Sequence, residues 1–147
     1  MSRKILYRGQ TRRKGEYLVN YAGDKCDSNW VYGGIFPQNE GGDKAIIYQQ
    51  EPKIEKFVVY ADTVCEYTGM TDKNNAKIFE NDILEFTNKE GDKTLYLVLW
   101  SEQLAGWVTR QIDAHPVDDP MAYWVNCQTD YEIVGNVFDN PELLEVK

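Results

Sequence analysis

The amino-acid sequence predicts a mostly β fold: a small, strongly bent SH3-like or related β-barrel in the second half, additional strands in the first half, and a short C-terminal helical turn. Three observations predict it. The apolar runs are short and rich in Val, Ile, Tyr, Phe and Trp, side chains that fit a pleated, half-buried surface. Clusters of Gly, Asn, Asp and Pro separate the runs and supply turns. Rings are abundant, with ten tyrosines and four tryptophans among 147 residues, and such rings pack their bodies while keeping a polar tip wet.

In chain order, the first strands are expected at residues 4–7, 16–21 and 30–36. The Gly33-Gly34 pair inside the third suggests a bulge or a close backbone crossing. Residues 45–49 and 57–61 follow, parted by a turn around Pro52. The clearest hairpin lies further on. Leu84 and Phe86 alternate with Glu85 and Thr87, the loop Asn88-Lys89-Glu90-Gly91-Asp92 is polar, and Leu95-Tyr96-Leu97-Val98-Leu99-Trp100 is apolar on both faces, as in a strand covered on both sides. Residues 107–112, 123–127 and 131–138 complete the strands. Pro116 and Pro120 argue against regular structure over residues 114–121. At the end, Asp139-Asn140-Pro141-Glu142 places a capping residue before proline at the first helical position, with Leu143 and Leu144 docking on the barrel. The length fits one domain, residues 1–147, able to form its own core. Within it, residues 1–62 supply the N-terminal strands and residues 63–147 the barrel.

Composition excludes several classes. No run approaches the roughly 20 apolar residues of a membrane span, and charge returns too soon after Met1 for a signal peptide, so a cytoplasmic location is expected. Cys26, Cys65 and Cys127 are odd in number and far apart, which argues against a disulfide framework or a zinc site. Net charge is −8, but Arg3, Lys4, Arg8, Arg12, Arg13 and Lys14 all precede the first acid, Glu16. An acidic body repels phosphate backbones, so broad nucleic-acid binding is not expected. The basic segment, above all Arg8, Arg12, Arg13 and Lys14, is the candidate binding surface. It has the chemistry to dock on the acidic body of another subunit or on a host or phage protein or, alternatively, on nucleic acid with tyrosines stacking nearby. The bland reading is a solvated strand face.

Candidate chemistry is sparse. Asp113, His115, Asp118 and Asp119 offer one imidazole and three carboxylates for a metal or an acid–base pair, though without defined ligand spacing. Asp72, Glu80 and Asp82 form a second acidic set, and here the turn chemistry is stronger: Asp72 is placed to bond its own turn, and Asp82 to cap the turn before a strand. No nucleophile elbow, triad or phosphate loop is recognisable. Trp100, Trp107 and Trp124 read as core. No cofactor and no catalysis are expected.

Three blocks resemble one family. Residues 66–83, running Glu66-Tyr67-Thr68-Gly69-Met70-Thr71-Asp72-Lys73-Asn74-Asn75 and on to Glu80-Asn81-Asp82-Ile83, are similar to the Y-T-G-x-x-D-K-N-G-x-x-I-x-E-G-D-I core of the YopX-like proteins. Residues 133–144, Ile133-Val134-Gly135-Asn136 through Asn140-Pro141-Glu142-Leu143-Leu144, resemble that family's I-G-N-x-x-x-N-P-E-L-L ending. Ile5-Leu6-Tyr7-Arg8-Gly9 and Trp30-Val31-Tyr32-Gly33 resemble its N-terminal pattern, with extra residues between Tyr17 and Trp30. The resemblance implies a small phage or prophage protein of the bacterial cytoplasm and no assigned activity. Where the family carries glycine, this chain has Asn75 and Asn81. Asparagine is the side chain that best tolerates the left-handed region, so both are predicted at positive φ. The expected role is a non-catalytic interaction or assembly module acting as a homo-oligomer. The alternatives are a nucleic-acid-binding barrel and, more remotely, a metal-dependent enzyme around His115.

Overall fold

The computed structural model describes residues 4–13, 18–19, 25–26, 29–36, 42–113, 115–121 and 131–145. Thirteen strands run through them: β1 (Tyr7–Gln10), β2 (Leu18–Val19), β3 (Lys25–Cys26), β4 (Trp30–Phe36), β5 (Lys44–Gln49), β6 (Glu55–Tyr60), β7 (Cys65–Thr71), β8 (Lys77–Phe79), β9 (Asp82–Thr87), β10 (Lys93–Ser101), β11 (Gly106–Gln111), β12 (Asp118–Pro120) and β13 (Tyr131–Asn136). Every pairing between them is antiparallel. The chain divides into two compact units, Met1–Glu66 and Tyr67–Lys147.

In the first unit, β4, β5 and β6 form a meander, and β1 lies between β4 and the start of β7. Residues 18–19 and 25–26 make a separate short ladder. Alternation sends Ala45, Ile47 and Val59 into the core, where Tyr7, Val31 and Phe57 pack against them. Gly33 marks a close crossing, as expected: a Cβ there would collide with the carbonyl of Tyr48. Thr63, in the 3-10 turn Ala61–Thr63, is fully buried and both bonds of its hydroxyl are used. It accepts from the backbone N–H of Gln10 (2.8 Å) and donates to the carbonyl of Tyr60 (2.7 Å).

The second unit contains the rest of β7 paired with β8, and a five-stranded sheet in the order β12-β11-β10-β9-β13. One face carries the core cluster of Ile78, Leu84, Val98 and Met121, with Met70, Tyr96, Trp107, Tyr131 and Ile133 packed around it. Phe86 and Tyr131 face each other in register and stack at 4.9 Å. The hairpin expected at residues 83–100 is present, formed by β9 and β10. Asn88 closes its loop by accepting the Asp92 N–H (2.8 Å), with Gly91 at φ 90°.

Several expectations need correction. The described strands do not close into a barrel: β12 and β13 are the two edges of an open sheet. The expected strand at 123–127 lies outside the described residues. Asp118–Pro120 forms a short strand despite its proline, because an edge strand has one side free of ladder bonds and tolerates a missing N–H. Trp100 is not core; it is 47% exposed and meets Trp107 edge-on at 5.1 Å. Trp124 lies outside the described residues. The final turn, Pro141–Leu144, is a 3-10 helix, and Asn140 makes no side-chain cap bond to it. Its amide oxygen instead accepts the backbone N–H of Asn136 (3.2 Å). Leu143 and Leu144 are half-buried. Among the described residues, no helix is long and apolar enough to cross a membrane.

Candidate functional site

Asp72, Asp82 and Asn136 of the recognised blocks sit at turns and turn side-chain oxygens to backbone N–H groups. After β7 the chain reverses at residues 72–76, with Asn75 at φ 63° as predicted. Asp72 is 5% exposed. Its Oδ1 accepts the N–H groups of Asn74 and Ala76 (2.9 Å each), and its Oδ2 accepts that of Ile133 on β13 (3.0 Å). A second tie runs from the Lys73 N–H to the Tyr131 carbonyl (2.9 Å). The carboxylate therefore holds the turn and fastens it to the edge of the sheet. Asn81 takes φ 70° in the tight turn between β8 and β9, again as predicted, and buried Asp82 accepts the Phe79 N–H (2.8 Å).

The C-terminal block works the same way. The Asn136 amide oxygen accepts the N–H groups of Phe138 and Asp139 (3.0 and 2.9 Å), and its amide nitrogen donates to the Asp139 carboxylate (3.1 Å). Gly135 is required beside this knot, since a Cβ would run into the Asn140 amide.

The remote enzyme reading centres on His115, which is exposed and donates its backbone N–H to Asp113 Oδ1 (2.7 Å). Asp118 faces Arg110 in a two-bond pair (2.6 and 2.9 Å). The guanidinium hydrogen bond holds the Asp118 carboxyl below the usual carboxylate range and raises Arg110 in turn. Burial, with Asp119 and Asp113 nearby, raises the Tyr96 phenol. Among the described residues, no three His, Cys, Asp or Glu side chains gather in a metal-holding group.

The basic segment is drawn into the fold rather than displayed. Arg8 is buried, with its guanidinium 4.5 Å from the Trp30 ring centre, and Arg12 is buried as well. Arg13 pairs with both carboxylate oxygens of Asp62 (3.0 and 3.2 Å) and lies 4.2 Å from the Tyr60 ring, which Lys44 also approaches. Lys14 lies outside the described residues.

Sequence reasoning missed a surface on the first unit. The register sets Phe36 opposite Ile46, Ile46 opposite Val58, and Tyr48 opposite Lys56, all on the face away from Ile47 and Val59. Phe36 and Val58 are 56% and 55% exposed, Tyr32 and Tyr48 are exposed too, and Phe36 meets Tyr48 edge-on at 6.0 Å. The signal was available: β4 and β5 carry apolar residues at both parities, as β10 does. Pattern alone could not say which face stays uncovered. It missed, too, an apolar cavity in the second unit lined by Met70, Leu104, Trp107 and Met121.

Among solved structures, the crystal structure of protein EF1440 from Enterococcus faecalis aligns with 98% of this chain and 100% of its own, at 18% identity and a TM-score of 0.48. No curated protein matches the chain. A family model described as YopX protein matches residues 21–145. That span starts after the Ile5–Gly9 opening but contains both the core block, with its left-handed asparagines, and the Asn136–Asn140 knot. The chain belongs to the YopX protein family.

Proposed function

We propose that this protein is a non-catalytic assembly module of phage or prophage type that works as a homo-oligomer in the bacterial cytoplasm. The observation that carries the reading is the uncovered face of Tyr32, Phe36, Tyr48 and Val58. Adjacent, half-exposed apolar side chains in register are the chemistry of an interface core. Recovering the exposed half of each would contribute on the order of 1 kcal/mol per side chain. A total near 4 kcal/mol corresponds only to about millimolar affinity, so the face needs support from charge or from repetition in a ring.

Charge supplies a partner surface. The first unit holds ten Lys and Arg against nine Asp and Glu, whereas the second holds six against fifteen. Lys44 and Lys56 lie on the apolar face itself. Face-to-face pairing of two copies would oppose like charges; docking on the acidic unit of the next copy would not. Such head-to-tail contacts close into rings where the rotation between successive copies closes. Light scattering across a wide concentration range tests this. The expected result is a multimer that the double substitution Phe36→Glu, Val58→Glu converts to monomer with its circular dichroism unchanged. A wild-type protein that is monomeric throughout refutes the proposal.

Nucleic-acid binding through Arg8, Arg12, Arg13 and Lys14 has less support, because two of these guanidinium groups are buried and a third is paired. Its test is direct: binding at low salt that falls when Arg12, Arg13 and Lys14 become alanine would favour it over assembly.

A further inference from the structure

Exposed apolar side chains in the second unit concentrate at one place. Among the described residues its exposed large hydrophobics are Trp100, Leu104 and Val117, and the first two share the end of the β10–β11 hairpin. Trp107 joins them: its ring meets Trp100 edge-on at 5.1 Å, and it borders the same apolar depression as Leu104. The turn itself is fixed. Trp100 opposes Trp107 in register, and the Leu104 N–H donates to the Ser101 hydroxyl (3.1 Å). A tryptophan held by its neighbour and a leucine held by its turn lose little freedom on contact, which favours them as interface anchors. The tip also carries one sign of charge. Exposed Glu102 stands between the two apolar residues, and no Lys or Arg occurs from Thr94 to Thr109.

The aromatic face of the first unit carries the opposite sign. Register puts Lys44 and exposed Lys56 on it with Phe36, Tyr48 and Val58, and no Asp or Glu. Two faces together would oppose lysines, and two tips would oppose glutamates. Face against tip joins apolar surface to apolar surface with opposite charges at the rim. We propose that the Trp100–Leu104 tip of one copy seats on the Phe36, Tyr48 and Val58 face of the next, with Glu102 meeting Lys56. This rests on the assembly reading above and names the other half of its contact. The occupant is a second copy because one chain carries both complementary surfaces. The contact is heterologous, so each copy uses its face toward one neighbour and its tip toward another.

The test is complementation between two variants of the full chain. Trp100→Glu, Leu104→Glu removes the tip and should give a monomer by light scattering, as Phe36→Glu, Val58→Glu does by removing the face. Mixing the two restores one contact, tip from one copy and face from the other. With the face variant isotope-labelled, its Trp100 indole resonance, identified by its absence from the tip variant, should shift saturably as unlabelled tip variant is added to millimolar concentration. Added unlabelled face variant should leave it unmoved. Independently, Lys56→Glu should raise the concentration at which the multimer dissociates about fivefold, the equivalent of one exposed ion pair, and Glu102→Lys in the same chain should restore it. A folded tip variant that stays multimeric while the face variant is monomeric overturns this inference and leaves the assembly reading standing. So does a mixture without a saturable shift, or a Glu102→Lys change that fails to restore Lys56→Glu. A wild type that is monomeric throughout overturns both. The charge exchange, at two exposed positions, decides the matter even if Trp100→Glu fails to fold.

Discussion

Removing the Asp72 carboxylate is the sharpest test of the view that the core block specifies backbone. In Asp72→Ala, three N–H groups lose a charged acceptor at 2.9–3.0 Å. Asn74 and Ala76 are exposed, so water replaces much of what they lose, and each should cost about 0.5–1 kcal/mol. The Ile133 N–H is only part-exposed, and an unpaired donor there costs about 1–3 kcal/mol. The sum is about 3 kcal/mol. Asp72→Asn can keep the two turn bonds, but it presents an amide N–H to the Ile133 N–H. It should cost about 2 kcal/mol, by the same reasoning for one unsatisfied donor. The assay is urea unfolding followed by tryptophan fluorescence, comparing midpoints at constant m-value. An Asp72→Ala protein within about 0.5 kcal/mol of wild type, the scatter of ordinary surface changes, would refute the reasoning and reopen Asp72 as a group held for another purpose.

Other outcomes follow from the same geometry. Asn75→Gly and Asn81→Gly should leave stability within about 0.5 kcal/mol, while either residue changed to valine should lose about 1–2 kcal/mol to left-handed strain, measured by the same unfolding curves. Ala105→Gly should be neutral or stabilising by a few tenths of a kcal/mol, because relief of strain exceeds the added chain entropy of glycine. Gly135→Ala should cost about 2 kcal/mol or more by forcing Asn140 off the Asn136 N–H, with thermal unfolding as the readout. The Arg110–Asp118 pair lowers the Asp118 carboxyl, so its contribution is present above the ordinary aspartate pKa and is lost as pH falls through the lower folded value. For a pair this exposed the effect is about 0.5 kcal/mol. It should appear as a slightly steeper acid destabilisation in wild type than in Asp118→Asn.

Which parts of the fold were legible follows from whether their cause is local. Asn75 and Asn81 could be placed at positive φ because the family that the chain resembles carries glycine at both positions and asparagine is the side chain that best tolerates that region. Ala105 occupies the same region, φ 51°, and nothing in an alanine announces it; the hairpin that closes over residues 101–106 imposes it. The 82–101 hairpin was legible from alternation plus a glycine-containing loop. Strand β7 was not, because its residues were taken together as a turn-bearing block, although Cys65, Tyr67 and Thr68 are buried. Barrel closure was beyond reach for a different reason: alternation specifies which side chains share a face, whereas closure depends on whether distant edges pair. The burial of Arg8 was not legible, because charge implies solvent, whereas its guanidinium lies over the Trp30 ring, where cation–π attraction offsets part of the cost of burial.

These causes bear on where function can reside. A side-chain oxygen that already accepts two backbone N–H groups has little capacity left for a substrate or a metal, and Asp72 Oδ1 and Asn136 Oδ1 both meet this description. The blocks by which the family is recognised therefore act on the backbone, and changes in them should alter function only through unfolding. Of the aromatic face only Tyr32 lies within those blocks, and the cavity touches them only at Met70. This makes the two kinds of residue experimentally separable. A variant such as Asp72→Asn should lower the urea midpoint while the folded fraction keeps its assembly state. Phe36→Glu, Val58→Glu should do the reverse for assembly, changing mass at constant stability. If instead Asp72→Asn abolished assembly in protein that remained folded, the division between scaffold and surface would be wrong, and the turn at residues 72–76 would have to be counted as part of the interface.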